Sequence, residues 1–149
     1  MSQEQQSIEL RPIGFIRSPI KERSAAPKQG SEGAPDVWID IEPCFTEALD
    51  GFREGDEAVV ITWLHRANRE VLKVHPRSDP QRRLTGVFAT RSPRRPNPIG
   101  VTRCRILSIE GDRIRVEGLD ARGGSPVVDI KCHIPDPLPP ESVRLPAWV

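Results

Sequence analysis

The run Gly86-Val-Phe-Ala-Thr-Arg-Ser-Pro-Arg-Arg-Pro-Asn-Pro-Ile-Gly100 hangs three guanidinium groups, Arg91, Arg94 and Arg95, on a loop stiffened by Pro93, Pro96 and Pro98. Proline fixes φ and has no N–H, so this loop is neither a helix nor a central strand. It has little conformational freedom to lose when it closes on a ligand. Guanidinium forks match carboxylate and phosphate geometry, so the chemistry on offer is the gripping of an anion. A second run, Asp120-Ala-Arg-Gly-Gly-Ser-Pro-Val-Val-Asp-Ile-Lys131, joins a glycine pair to a carboxylate among apolar neighbours. The Gly123-Gly124 turn lets a ligand approach the backbone closely. Asp129 is a first candidate general base, and His65, at the end of an apolar run, is a second. Each has an ordinary structural alternative. Asp129 can pair with Lys131 or an arginine, His65 can be a satisfied core or rim histidine, and Asp120 can cap its turn. Asn97 can hydrogen-bond the loop backbone or contact a base edge. Trp38, Trp63 and Trp148 read as core or interface residues.

The elements that must position these groups are short, because sixteen prolines and eleven glycines cut the chain throughout. Strands are expected at 8–17, 37–41, 57–65, 70–75, 84–90, 99–109, 112–119 and 126–134. Phe45, Ala48, Leu49 and Phe52 fall at helical spacing, which predicts one short helix over 44–52. Glu110-Gly111-Asp112 is a tight-turn signal, so the strands around it form a hairpin. Along that hairpin Thr102, Cys104, Ile106, Ile114 and Val116 alternate with Arg103, Arg105, Arg113 and Arg115. One face is core and the other is a row of arginines. The expected fold class is mainly β: a small closed or nearly closed β-barrel with a short helix and no βαβ rhythm. The barrel domain spans 8–138, after a disordered 1–7 and before a C-terminal tail at 139–149 with Trp148 as anchor.

Composition bounds the function. With 149 residues and a formal net charge of +1, the chain has one core and no global field that advertises a nucleic-acid binder. Its basic charge is concentrated between Arg77 and Arg115. Cys44, Cys104 and Cys132 are odd in number with no C-x-x-C spacing, and His65, His75 and His133 form no helical ligand pair. Neither a disulfide framework nor a metal site is expected, and the cysteines read as small core residues. No apolar run approaches the roughly 20 residues of a membrane span. The polar N-terminus lacks a signal-peptide layout, so a cytoplasmic protein is expected.

Three segments in order resemble the TsaA-like family of tRNA methyltransferases. They are Ile13-Gly-Phe-Ile-Arg-Ser-Pro19 followed by Pro27-Lys-Gln29, then the 86–100 run, then the 120–131 run, which resembles D-x-x-x-G-[ST]-P-V-x-D-I-K. The resemblance implies a non-Rossmann β-barrel, a homodimer and the cofactor S-adenosylmethionine. It implies methylation of N6 of threonylcarbamoyladenosine beside the anticodon of a tRNA. The cofactor contacts it implies are Pro27, Lys28, Gln29, Leu64, His65, Arg91, Val101, Ala121, Arg122, Gly123 and Gly124. Lys28 stands where the family has Arg, and Cys132-His133 where it has Pro-Tyr. Bacterial relatives often carry a further C-terminal domain.

Methyl transfer from a sulfonium is an in-line displacement, which asks a protein to align donor and acceptor and to exclude water. The acceptor carries a carboxylate of its own, and the loop holds more guanidinium groups than one cofactor uses. Arg94 or Arg95 is therefore assigned to that carboxylate, with Asn97 and Lys131 as further substrate contacts, and Arg103, Arg105, Arg113 and Arg115 to phosphates. Two other functions fit the same residues: methyl transfer to a small molecule, and a non-catalytic RNA-binding barrel.

Overall fold

A computed structural model describes residues 6–18, 36–136 and 143–149. Among the described residues eight strands form: β1 (Gly14–Arg17), β2 (Val37–Ile41), β3 (Glu57–Trp63), β4 (Lys73–Val74), β5 (Thr85–Gly86), β6 (Ile99–Glu110), β7 (Arg113–Glu117) and β8 (Pro126–Cys132). Six of them close into a barrel in the order β1-β2-β7-β6-β3-β8, while β4 and β5 pair separately as a small ribbon. Every neighbouring pair is antiparallel.

Period-two alternation drives the closure. Val37, Ile39 and Ile41 of β2, Ala58 and Val60 of β3, Cys104 and Ile106 of β6, and Ile114 and Val116 of β7 all point inward and are buried. Their outward neighbours include Arg103, Arg105 and Arg115, as the hairpin pattern predicts. Gly111 takes φ +64° in the tight turn between β6 and β7, where a residue with a Cβ is strained.

Several expected elements are shorter than their apolar patterns. The strand expected at 8–17 is confined to Gly14–Arg17, and Ile8 and Leu10 lie exposed. The strand at 84–90 stops at Gly86, and Val87–Ala89 turns into a 3-10 helix. The helix expected at 44–52 is a 3-10 helix over Pro43–Leu49. Pro43 opens it, Leu49 is buried under it, and Phe45 and Phe52 pack on the barrel core from its flanks. Ala48 faces solvent. Of the three cysteines only Cys104 is a core residue, and Cys44 and Cys132 are exposed.

β8 carries a bulge. Ile61 pairs with Asp129 but Thr62 pairs with Val127, which leaves Val128 extra. A bulge re-aims the side chains beyond it. Val127 and Ile130 both reach the core as a result, and Asp129 turns to the outer wall.

Candidate functional site

Antiparallel connectivity sends alternate loops to opposite ends of the barrel. The 18–36, 64–98 and 118–125 connections all leave from one end. All three motif segments therefore start from that end, where β1, β3 and β7 finish and β2, β6 and β8 begin. The three segments are far apart in sequence, and the fold alone brings them together. Pro27, Lys28 and Gln29 lie outside the described residues. The strand ends that carry their loop are described, and Ser18 at one of them lines a depression of about 300 Å³ with Ile16, Arg17, Asp40, Gly123 and Gly124.

Pro93, Pro96 and Pro98 remove three N–H groups from the 86–100 loop, and side chains satisfy several of its carbonyls. Arg95 donates to the carbonyls of Val87 (2.9 Å), Ser92 (3.1 Å) and Thr90 (3.4 Å). Thr90, itself buried, donates its hydroxyl to Val87 O at 2.8 Å. Arg69 donates Nε to Pro96 O at 2.7 Å and a terminal nitrogen to Asn97 Oδ1 at 3.2 Å. Asn97 O accepts from the Ile99 N–H, and Pro98 O from the Leu64 N–H, both at 2.7 Å. Trp148 donates Nε1 to Ala89 O at 2.6 Å, and its own carbonyl accepts from Arg82. The tail thus anchors on the loop through Trp148.

The other segments are tied to this loop's strand. Thr102 of β6 donates to Asp120 Oδ1 at 3.2 Å. Gly124, with φ +86°, donates its N–H to Ile16 O at 2.6 Å, and a Cβ built there meets nothing within 4 Å. Ala121 is buried, Arg122 and Gly123 are half-buried, and Gly124 is open to solvent. Leu64 is half-buried, and Val101 is exposed on the adjoining strand. Gly100 pairs with Thr62, and a Cβ at Gly100 would come within 2.5 Å of Thr62 Oγ1.

The charges divide into two sets. On the barrel wall Asp40 pairs with Arg17 (2.8 Å) and Arg113 (3.1 Å), Asp36 with Arg115 (2.6 Å), and Glu57 with Arg103 (3.3 Å). Arg105 lies in register between Glu57 and Glu117. The expected phosphate-binding row is thus matched by carboxylates. At the motif end, Arg66, Arg91, Arg94 and Arg122 carry no carboxylate partner among the described residues. These are the guanidinium groups free to meet an anion.

The two candidate bases are not brought together. Asp129 sits on the outer wall opposite Ile61, with Oδ2 3.1 Å from Lys131 Nζ and Oδ1 accepting from the Ile130 N–H. His65 is exposed in the turn beyond β3, at the motif end. Arg95 holds loop carbonyls, whereas Arg94 projects into solvent. Arg69 was not singled out from the sequence. Its partners are a proline carbonyl and an amide, and the faint signal for them is the lack of N–H groups around Pro96 and Pro98. A larger open depression of about 490 Å³ lies at the opposite end, lined by Asp50, Asp56 and Glu57 among others. Its acidic lining does not suit an anionic ligand. Among the described residues no cluster of His, Cys, Asp and Glu is able to hold a metal ion, and no helix is long and apolar enough to cross a membrane.

The fold and site define a small antiparallel barrel that gathers three loops at one end, with a set of arginines that have no carboxylate partner among the described residues. The chain belongs to the tRNA-methyltransferase O N-terminal domain family, whose model matches residues 15–137. It is 46% identical over 129 residues to a probable S-adenosyl-L-methionine-binding protein of Methanothermobacter thermautotrophicus, covering 87% of this chain and 92% of that protein. It is 41% identical over 132 residues to an S-adenosyl-L-methionine-binding protein of Archaeoglobus fulgidus, covering 85% and 90%. The crystal structure of TrmO from Pseudomonas aeruginosa superposes with a TM-score of 0.73 at 30% identity, covering 95% of this chain and 63% of that one. The chain thus spans less than two thirds of the length of that solved relative.

Proposed function

We propose that this chain binds S-adenosylmethionine at the motif end of the barrel and transfers its methyl group to a tRNA, at N6 of threonylcarbamoyladenosine. The observation that carries this reading is the convergence of the three motif segments on one end, which also holds an open glycine turn and arginines with no carboxylate partner among the described residues. The residues present fit the cofactor. Arg91 or Arg122 supplies a cation for its carboxylate. Leu64 and Val101 supply apolar surface for its adenine, and Gly124 leaves backbone open to close approach. The cofactor, when bound, supplies an electrophilic methyl group on a sulfonium.

The chain's own part is then alignment and proton removal. The stiff 86–100 loop presents Arg94 to the acceptor's carboxylate, which pre-orders the nucleophile at little entropic cost. His65 is the stronger choice of base, because it stands at the motif end with no carboxylate partner among the described residues, while Asp129 is held by Lys131 on the wall. The homodimer implied by the family resemblance has apolar surface to use where Leu72, Leu84 and Phe88 are exposed.

Calorimetric titration with S-adenosylmethionine tests the cofactor, with Arg91→Ala as control. Micromolar binding that weakens at least tenfold in the variant supports the reading. Steeply salt-dependent RNA binding with no cofactor uptake would replace it with a non-catalytic barrel.

A further inference from the structure

The loop segment 96–99 is fixed by three consecutive carbonyls, each with a donor from a different source: Arg69 Nε to Pro96 O, the Ile99 N–H to Asn97 O, and the Leu64 N–H to Pro98 O. Pro96 and Pro98 contribute no N–H. The guanidinium of Arg69 is held in turn by the face of Trp63, 5.2 Å from the ring centroid. This fixed guanidinium also meets the amide of Asn97, at 3.2 Å.

A guanidinium has only donors, so the amide atom facing it must be the oxygen. The amide of Asn97 therefore has one orientation, and its NH₂ points away from Arg69. Asn97 is exposed at the motif end, beside the half-buried Leu64 and the exposed Ile99. An asparagine free to flip offers a ligand either an acceptor or a donor. This one turns its oxygen to Arg69 and presents its NH₂ outward. Building on the methyl-transfer reading, we infer that Arg69 acts as a positioning residue. It locks Asn97 as a two-proton donor that reads an oxygen acceptor on the methyl-accepting nucleoside, in the class of a carbamoyl carbonyl or a carboxylate.

The test is tritium transfer from S-adenosylmethionine to threonine tRNA carrying the threonylcarbamoyl group, with cofactor affinity and melting temperature measured on the same variants. Asn97→Asp keeps an oxygen for Arg69 but replaces the outward donors with an acceptor. It should melt like the wild type, bind the cofactor equally, and lose roughly 30-fold or more in kcat/KM for the tRNA. Arg69→Met should raise KM for the tRNA several-fold with a smaller effect on kcat, and Arg69→Lys, which still donates, should recover most of that loss. Wild-type kinetics in Asn97→Asp, or equal kinetics in Arg69→Met and Arg69→Lys, would overturn the inference. A wild-type protein that binds no cofactor and transfers no methyl group overturns the methyl-transfer reading itself, and the inference falls with it. Cofactor binding and methyl transfer by the wild type, with an unaffected Asn97→Asp, sinks the inference alone.

Discussion

Arg94 and Arg95 are adjacent and chemically identical, yet the fold uses them differently. Arg95 spends its guanidinium on three loop carbonyls and is half-buried, while Arg94 faces solvent with no carboxylate partner among the described residues. Hydrogen bonds to a charged donor contribute about 1.5–3 kcal/mol each, and less where solvent reaches them. Arg95→Ala should therefore loosen the whole loop, weakening cofactor affinity and tRNA turnover together by about tenfold or more. Arg94→Ala should reduce turnover and leave cofactor affinity intact, and titration calorimetry beside methyl-transfer kinetics separates the two. The cysteines divide in a similar way. Burial pushes the Cys104 thiol up from 9.0 to about 12, because the barrel interior disfavours the thiolate. Cys44 and Cys132 should react with a maleimide in the native protein, and Cys104 only after unfolding, as intact-mass spectrometry would register. The linkage has a definite sign. Above pH 9 the unfolded chain releases this proton and the folded chain keeps it. The contribution of Cys104 is thus fully present below pH 9 and is lost as pH rises towards 12, so stability in denaturant titrations should fall over that window. Such a fall should be absent in Cys104→Ala.

At the level of elements, the barrel was legible because its determinant is local. Period-two alternation over 102–106 and 113–116, with a tight turn at Gly111, gives strand, face and hairpin directly, although the pairing shifts register between Ile106 and Ser108. The positions of the three motif segments follow from their recognisable residues. What was not legible depends on partners distant in sequence. The run 84–90 is apolar enough for a strand, yet it leaves the sheet at Gly86, and its carbonyls are taken by Arg95 and Trp148. Asp129 reads as an inward residue by strict alternation, and one extra residue at Val128 turns it outward. Arg69 bonds to groups more than twenty residues away, which no spacing rule reports. Strand β6 gives a test of how closely element geometry governs the site. Gly100 packs against the buried Thr62 hydroxyl and lies near both methyls of Leu64. Gly100→Ala must push Thr62 or part the β3–β6 pair at the motif end. The expected result is a cofactor affinity lowered several-fold with only a modest drop in melting temperature. Gly14→Ala provides the contrast. A Cβ there meets the Asp40 backbone carbonyl in the β1–β2 seam, which cannot rotate away. It should cost about 1–3 kcal/mol of global stability in chemical denaturation, with loss of cofactor binding only in proportion to unfolding.

Over the whole molecule, the near-zero net charge hides a polar arrangement of free and satisfied cations. The wall arginines Arg103, Arg113 and Arg115 meet carboxylates, and Arg113 also stacks over Trp38 with its guanidinium carbon 4.5 Å from the ring centroid. A phosphate that approached them would have to displace a carboxylate already in place, so little binding free energy would be gained. At the motif end, Arg66, Arg91, Arg94 and Arg122 have no such competitor among the described residues. An anionic polymer should therefore dock on the end of the barrel rather than along its side, which also brings it to the proposed site of methyl transfer. Each phosphate contact contributes about 0.7–0.9 to the slope of log affinity against log salt. Arg113→Gln and Arg115→Gln should then leave the salt slope of tRNA binding unchanged, although they trim stability on the wall. Arg66→Gln and Arg122→Gln should each flatten it by up to about one. Fluorescence anisotropy across a salt series measures this directly. If the wall variants flatten the slope and the end variants do not, the tRNA lies along the arginine row. The carboxylates there would then have to release their partners on binding, and the motif end would be left for the cofactor alone.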